Sequence, residues 1–216
     1  MARSAGLKAT PRRARYNPGP RLGDQRRAAL LAALQHLLTT RPLAEIAIGD
    51  ITRDAGLSRS SFYFYFPTKG AAVAALLADF QADMQKAAAA WYDGGPGTPL
   101  QRTQAGLNAT IELWRSHGRL LVALLDATGT DPELREVWDA WNQGFIQRVA
   151  DRIVEDRNAG LAHGTADPHA LATALLGASI FTVEQDLRAI LAGQDPSDTI
   201  QPALVELWHR TLYQSD

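Results

Sequence analysis

Apolar residues recur at helical spacing after Asp24, with Leu30, Leu34, Leu37 and Leu38 on one side, until Arg41-Pro42 closes the run. The pattern predicts a helix for which Asp24 supplies the N-cap. Ile48 to Asp54 predicts a short helix that turns Ile48 and Ile51 inward. Gly56 follows where a left-handed turn residue is wanted. Ser58 caps a second short helix, stopped at Phe66-Pro67. Thr68 then caps a long helix whose apolar stripe is Val73, Leu76, Leu77, Phe80 and Met84. Asp93-Gly-Gly-Pro-Gly-Thr98 breaks that helix. Further helical stretches follow near 99–116, 118–128 and 131–157, then from the loop at 160–168 to about 192, and finally over roughly 198–213. No segment alternates apolar and polar residues long enough for a convincing strand. The expectation is an all-α chain of about nine helices.

The stretch Ser58 to Lys69, SRSSFYFYFPTK, carries five aromatic rings in succession. A strand here would be solitary in a helical pattern, with no partner for its hydrogen bonds. On a helix begun at Ser58 the rings divide between faces. Phe62 and Phe66, four apart, pack toward Ile51 and Leu57, and Tyr63 lies on the side of Arg59 and Ser60. Tyr65 and Lys69 sit together near the helix end, and Phe64 is expected to be half-buried. Two short helices around a tight glycine turn, the second presenting Arg, Ser and Tyr, make a helix-turn-helix. Its second helix suits the major groove, with Arg59 the candidate for a base edge and the hydroxyls and ammonium for phosphate.

Charge sharpens this division. Residues 1–70 hold 12 Lys/Arg against 4 Asp/Glu, whereas residues 71–216 hold 10 against 19. A basic front and an acidic remainder point to a polyanion-binding unit joined to a body with another task. Residues 1–23 read as a flexible basic arm, residues 24–70 as the DNA-binding domain and residues 71–216 as a separate helical body. Arg12, Arg13 and Arg15 of the arm either follow DNA or belong to a solvated tail.

The chain has no cysteine, which excludes disulfides, thiol catalysis and thiolate metal sites and fits a reducing cytoplasm. Its five histidines are scattered without ligand spacing, so no metal or cofactor is expected. Nucleophile-elbow, zinc-protease, P-loop and dinucleotide motifs are all missing, which leaves an enzyme as the weaker reading. No apolar run reaches the roughly 18 residues of a membrane span. A non-specific nucleoid-type binder is the alternative, and it would show a steep salt dependence with little sequence preference.

The segment AIGDITRDAGLSRSSFYFYFPTKGAAVAALL resembles the TetR family of transcriptional regulators, in its Ala-Gly turn and its aromatic-Tyr-x-(Tyr/His)-Phe-x-x-Lys run. RPLAEIAI and FYFYFPTK are especially similar to the ethionamide-resistance-regulator branch. The resemblance implies that Ser61, Tyr63, Tyr65 and Lys69 contact DNA, with Arg59 and Ser60 at positions that vary with the operator; the helix N-terminus at Ser58 adds a favourable interaction with phosphate. Three residues depart from the pattern: Ala47 at a helix start where Ser or Thr is frequent, Thr52 where alanine is usual, and Gly70 where glutamate is common.

In the acidic body Trp138, Trp141 and Phe145 share one helix face, with Asn142 beside it. Such a stripe alone is more often core than pocket. The resemblance implies that residues 71–216 are a helical effector-binding and dimerisation domain with an aromatic-lined site, for which Trp114, Trp138, Trp141, Asn142, Phe145, Leu176, Ser179 and Trp208 are the expected residues. The implied ligand is small and apolar or amphipathic. The last two helices, with Leu171, Leu175 and Ile180 on one and Ile200, Leu204 and Leu207 on the other, are expected to form a homodimer interface. The expected function is a ligand-responsive regulator, a repressor that binds a (pseudo)palindromic double-stranded DNA operator.

Overall fold

A computed structural model describes residues 22–214. Among them are nine α-helices, one 3-10 turn and no strand. Helices α1 (Leu22–Leu38), α2 (Ile48–Asp54) and α3 (Arg59–Tyr65) form a small head, with the 3-10 turn Leu43–Glu45 between α1 and α2. The long α4 (Lys69–Tyr92) leads into the body of α5 (Pro99–Ser116), α6 (Gly118–Thr128), α7 (Pro132–Asn158), α8 (Pro168–Leu191) and α9 (Ile200–Tyr213). Arg12, Arg13 and Arg15 lie outside the described residues.

Local chemistry accounts for most boundaries. The hydroxyls of Ser58, Thr68 and Thr98 accept from the backbone N–H groups of Ser61, Ala71 and Gln101 at 3.2, 2.9 and 3.3 Å. Asp131 and Asp167 cap α7 and α8 in the same way, each followed by proline in the first turn. Gly56, at φ 65°, turns the chain from α2 into α3 while the Leu57 N–H reaches the Thr52 carbonyl at 2.8 Å. Asp24 is not the cap of α1, because the helix is already running at Leu22; this places Asp24 in the first turn and moves the end of the expected arm back from residue 23. At Ala47 no side-chain oxygen is present, and Asp50 compensates by accepting the Ala47 N–H at 3.1 Å.

One core runs through head and body. In the head it contains Leu30, Leu34, Ile46, Ile51, Phe62 and Phe66, and it continues through Val73, Leu77 and Phe80 of α4 into Trp114, Leu121, Trp138 and Trp141. A second cluster joins Trp91 to Ile153, Leu175, Trp208 and Leu212 at the far end. There Asp156, 1% exposed, accepts from the Tyr213 hydroxyl at 2.7 Å and from Arg152, tying α7 to α9.

The outer faces of α8 and α9 differ from expectation. Leu175 and Leu204 point into the protomer, Leu171, Ile180 and Ile200 are half-buried, and Leu207 is 41% exposed. Phe181 is the large apolar residue that α8 presents outward, 63% exposed, one turn from Gly177 and two from Ala174.

Candidate DNA-reading head and effector cavity

Seven residues are too few for a stable isolated helix, so α3 owes its conformation to packing. Phe62 is fully buried and Phe66 nearly so, and their rings meet at 5.7 Å. Arg59, Ser60 and Tyr63 are exposed on the remaining surface, while Ser61 and Tyr65 are half-buried. The Ser58 hydroxyl lies 2.8 Å from that of Ser60 and 3.0 Å from that of Ser61, so these three form one polar cluster at the start of α3. Phe64 is not half-buried: it is 81% exposed, and its ring meets Tyr65 edge-on at 4.9 Å.

Lys69 departs from the expected outward position. Its ammonium donates to the carbonyls of Leu43 and Ile46 at 2.7 and 2.9 Å. Partial burial lowers its pKa, and the charge of Asp131 opposes that shift. The ammonium thus fixes the 3-10 turn to the start of α4, and those carbonyls compete for the donors that a phosphate would need.

The start of α4 is also where the body meets the head. Thr68 Oγ1 donates to the Glu133 carboxylate, 3.0 Å from Oε2. A Cβ on Gly70 would lie 2.8 Å from the same oxygen. Glycine at this position therefore lets Glu133 come down beside the first turn of α4. The negative charge that Gly70 lacks is supplied from α7 instead.

Further along α7, Trp141, Asn142 and Phe145 line a cavity that is closed by Trp114 of α5, Leu176 and Ser179 of α8, and Trp208 of α9. Seven of the eight expected residues thus meet around one space. Trp138 does not line it. Its indole packs behind the wall, 4.7 Å from Trp141 and 6.5 Å from Trp114. The sequence reading missed the α4 and α5 side: Met84, Ala88, Trp91 and Tyr92, with Thr103, Leu107 and Thr110. Met84, Ala88 and Trp91 at helical spacing were the available signal, yet nothing local says that this face meets α7.

The lining contains no carboxylate, ammonium or guanidinium. Burial pushes the Tyr92 hydroxyl up to about 12, against the lowering effect of Arg148, whose guanidinium lies 4.7 Å from the ring centre. Tyr92 is therefore neutral at physiological pH. Ser179 is largely committed, donating to the Leu175 carbonyl at 2.8 Å and accepting from the Trp208 indole at 2.9 Å. The Asn142 side chain makes no hydrogen bond among the described residues. The buried indole N–H groups of Trp114 and Trp141 also lack an acceptor. The cavity measures about 80 Å³, well below the roughly 300 Å³ at which drug-sized sites begin, so a ligand of that size must displace side chains.

Among the described residues no helix is long and apolar enough to cross a membrane, and no acidic or histidine cluster is arranged to hold a metal ion.

Comparison with known proteins bears on both sites. The family pattern for the C-terminal domain of the transcriptional regulator EthR matches residues 103–214. The HTH-type transcriptional regulator EthR of Mycobacterium tuberculosis (strain ATCC 25618 / H37Rv) is 35% identical over 219 aligned positions, covering 99% of this chain and 98% of that protein. EthR of Mycolicibacterium smegmatis is 31% identical over 198 positions, 88% of each chain. In fold, the chain is similar to a putative TetR-family regulator from Rhodococcus sp., with a TM-score of 0.69 at 17% identity over 87% of this chain and 98% of that one. It is also similar to NalD of Pseudomonas aeruginosa, with a TM-score of 0.67 at 23% identity over 89% and 98%. A head with an exposed α3 face, a body with an aromatic cavity and relatives that match from end to end agree: this chain belongs to the EthR family of HTH-type transcriptional regulators, on a fold shared with solved TetR-family proteins.

Proposed function

We propose that the chain is a repressor whose dimer holds a (pseudo)palindromic operator and lets go when an uncharged, apolar or amphipathic molecule enters the cavity. The observation that carries this reading is the aromatic cavity without a single ionic group in its lining, set on the same helix, α7, that touches the head through Glu133. In this reading residues up to about 70 form the head and the remainder the body. Arg59, Ser60 and Tyr63 face DNA directly, and Ser58, Ser61 and Tyr65 approach the backbone beside them. Lys69 acts as a positioning residue that holds the 3-10 turn against α4. Asn142 orients the ligand, and the free indole donors of Trp114 and Trp141 favour one with a carbonyl acceptor. The exposed strip of Phe181, Gly177 and Ala174 on α8, with Leu207 on α9, forms the two-fold interface. Release follows because half-site spacing on DNA is fixed, so any state that splays the heads binds less well.

Mobility-shift assays on the chain's own upstream DNA test this, with uncharged aromatic amides set against the matching carboxylates. The amides should quench tryptophan fluorescence and release the operator, and the carboxylates should do neither. Equal binding to every DNA sequence, or release by the carboxylates alone, sinks the proposal.

The Thr68–Glu133 contact makes its own prediction. In Glu133→Ala, quenching by an active amide should keep its midpoint within about twofold, since Glu133 lies outside the cavity lining. The amide concentration needed for operator release should rise several-fold, because α7 no longer pulls on α4. Parallel changes in both readouts would rule out this route.

A further inference from the structure

We infer that Phe64 is a specificity residue that reads the 5-methyl groups of thymine in the operator. The inference rests on the proposal that α3 enters the major groove, and it names what the apex of that helix recognises there. Successive helix residues turn by about 100°, which puts Phe64 about 200° from Phe62, while the ring of Phe66, the extended C-cap, meets that of Phe62 at 5.7 Å. Phe62 is 0% and Phe66 3% exposed, so Phe64, at 81%, points directly away from the core. Ser60, one turn earlier, is exposed on the same side. Among the described residues no other large apolar side chain is so open to solvent; the next is Leu22, at 65%.

An aromatic ring held outward on a helix locked by two buried phenylalanines needs a partner of its own chemistry. It has neither donor nor acceptor, so it cannot read the polar edges of bases. In the major groove the apolar mark on an unmodified base pair is the methyl group of thymine. By the same rotation Ser60 lies about 40° and Ser61 about 60° from Phe64 on opposite sides, and their hydroxyls supply polar contacts beside the ring. The edge-on contact with Tyr65, at an interplanar angle of 86°, limits how far the ring can swing. The head therefore combines polar groups at its margins with one apolar reader at its apex, and the operator half-site is expected to place a thymine beneath it.

The test uses the full chain and an operator selected from random DNA, with each thymine of the half-site replaced in turn by deoxyuridine, which removes only the methyl. For the wild type, one position per half-site should lose about fourfold in affinity when its methyl is removed, the value of burying one such group. Replacement in both half-sites should lose roughly fifteenfold. Phe64→Ala should bind the thymine operator more weakly and respond to deoxyuridine at that position by less than about 1.5-fold. Its melting temperature should match the wild type, since an outward ring supports no core. Three outcomes overturn the inference: wild-type affinity indifferent to every methyl, Phe64→Ala still discriminating as the wild type does, or self-association without DNA that Phe64→Ala abolishes while operator affinity stays unchanged. In each, tight operator binding by the wild type keeps the DNA-binding reading intact. If no selected sequence is preferred over random DNA, that reading fails first and this one with it.

Discussion

Phe62→Ala should destabilise the chain by about 3–5 kcal/mol in urea unfolding and reduce operator binding below detection at concentrations where the wild type saturates. The reason lies in how little else supports α3. The helix has seven residues, and helices of that length do not persist in water without tertiary packing. Phe62 is 0% exposed and packs within the same core cluster as Leu30, Leu34 and Ile51, and its ring touches Phe66 at 5.7 Å. Truncation removes the ring and leaves a void between α3, the short α2 and the Leu30–Leu34 face of α1. The exposed residues Arg59, Ser60, Tyr63 and Phe64 then lose their common platform, although none is altered. Phe62→Leu separates volume from presence: it should cost about 1–2 kcal/mol and retain measurable binding. If Phe62→Ala binds within threefold of the wild type and unfolds at the same urea concentration, packing is not what presents the reading face.

The elements readable in advance were those with local causes. Ser58 and Thr68 each announce a helix start, and Gly56 and the 93–98 break announce ends, because caps and left-handed turns act within a few residues. The 3-10 turn Leu43–Glu45 was not readable, since three residues after a proline show no periodicity. Lys69 shows the limit at a candidate site residue. Its partners are carbonyls 26 and 23 residues earlier, and no side-chain pattern reports where a carbonyl points. Trp138 and Trp141 share an apolar face, yet only Trp141 reaches the cavity. The difference depends on how α4 and α5 pack across α7, which the α7 sequence does not encode. Phe64 was misread for the opposite reason. Its helical phase already placed it opposite Phe62, but aromatic residues are so commonly buried that composition obscured geometry.

Asp186→Ala should have an effect of similar size at the other end of the molecule, about 3–5 kcal/mol, with a functional consequence transmitted through α9. Asp186 is 4% exposed. Its Oδ2 accepts from Arg115 Nε of α5 at 2.9 Å, and Oδ1 accepts the Ser197 N–H at 2.9 Å. Arg115 Nη2 reaches on to the Ser197 carbonyl at 2.8 Å. One carboxylate therefore joins α5, α8 and the loop that starts α9. Removing it leaves the Arg115 Nε and the Ser197 N–H without their acceptor, and the loop loses the contact that sets α9 against α8. Because Phe181 and Leu207 sit on the outer faces of those two helices, their relative placement shifts as well. Sedimentation should show weaker dimerisation, and operator affinity should fall with it, since two half-sites need both heads at a fixed spacing. Asp186→Asn, which keeps an acceptor without the charge, should lie between the two. The contrast is Asp126→Ala: its 2.7 Å bond to Arg188 joins α6 to α8 as well, but Asp126 is 59% exposed and should contribute under about 1 kcal/mol. Equal losses for Asp126→Ala and Asp186→Ala would mean that burial of the pair does not set its strength. A destabilised Asp186→Ala that still dimerises normally would mean that α9 is held in place by its apolar face alone.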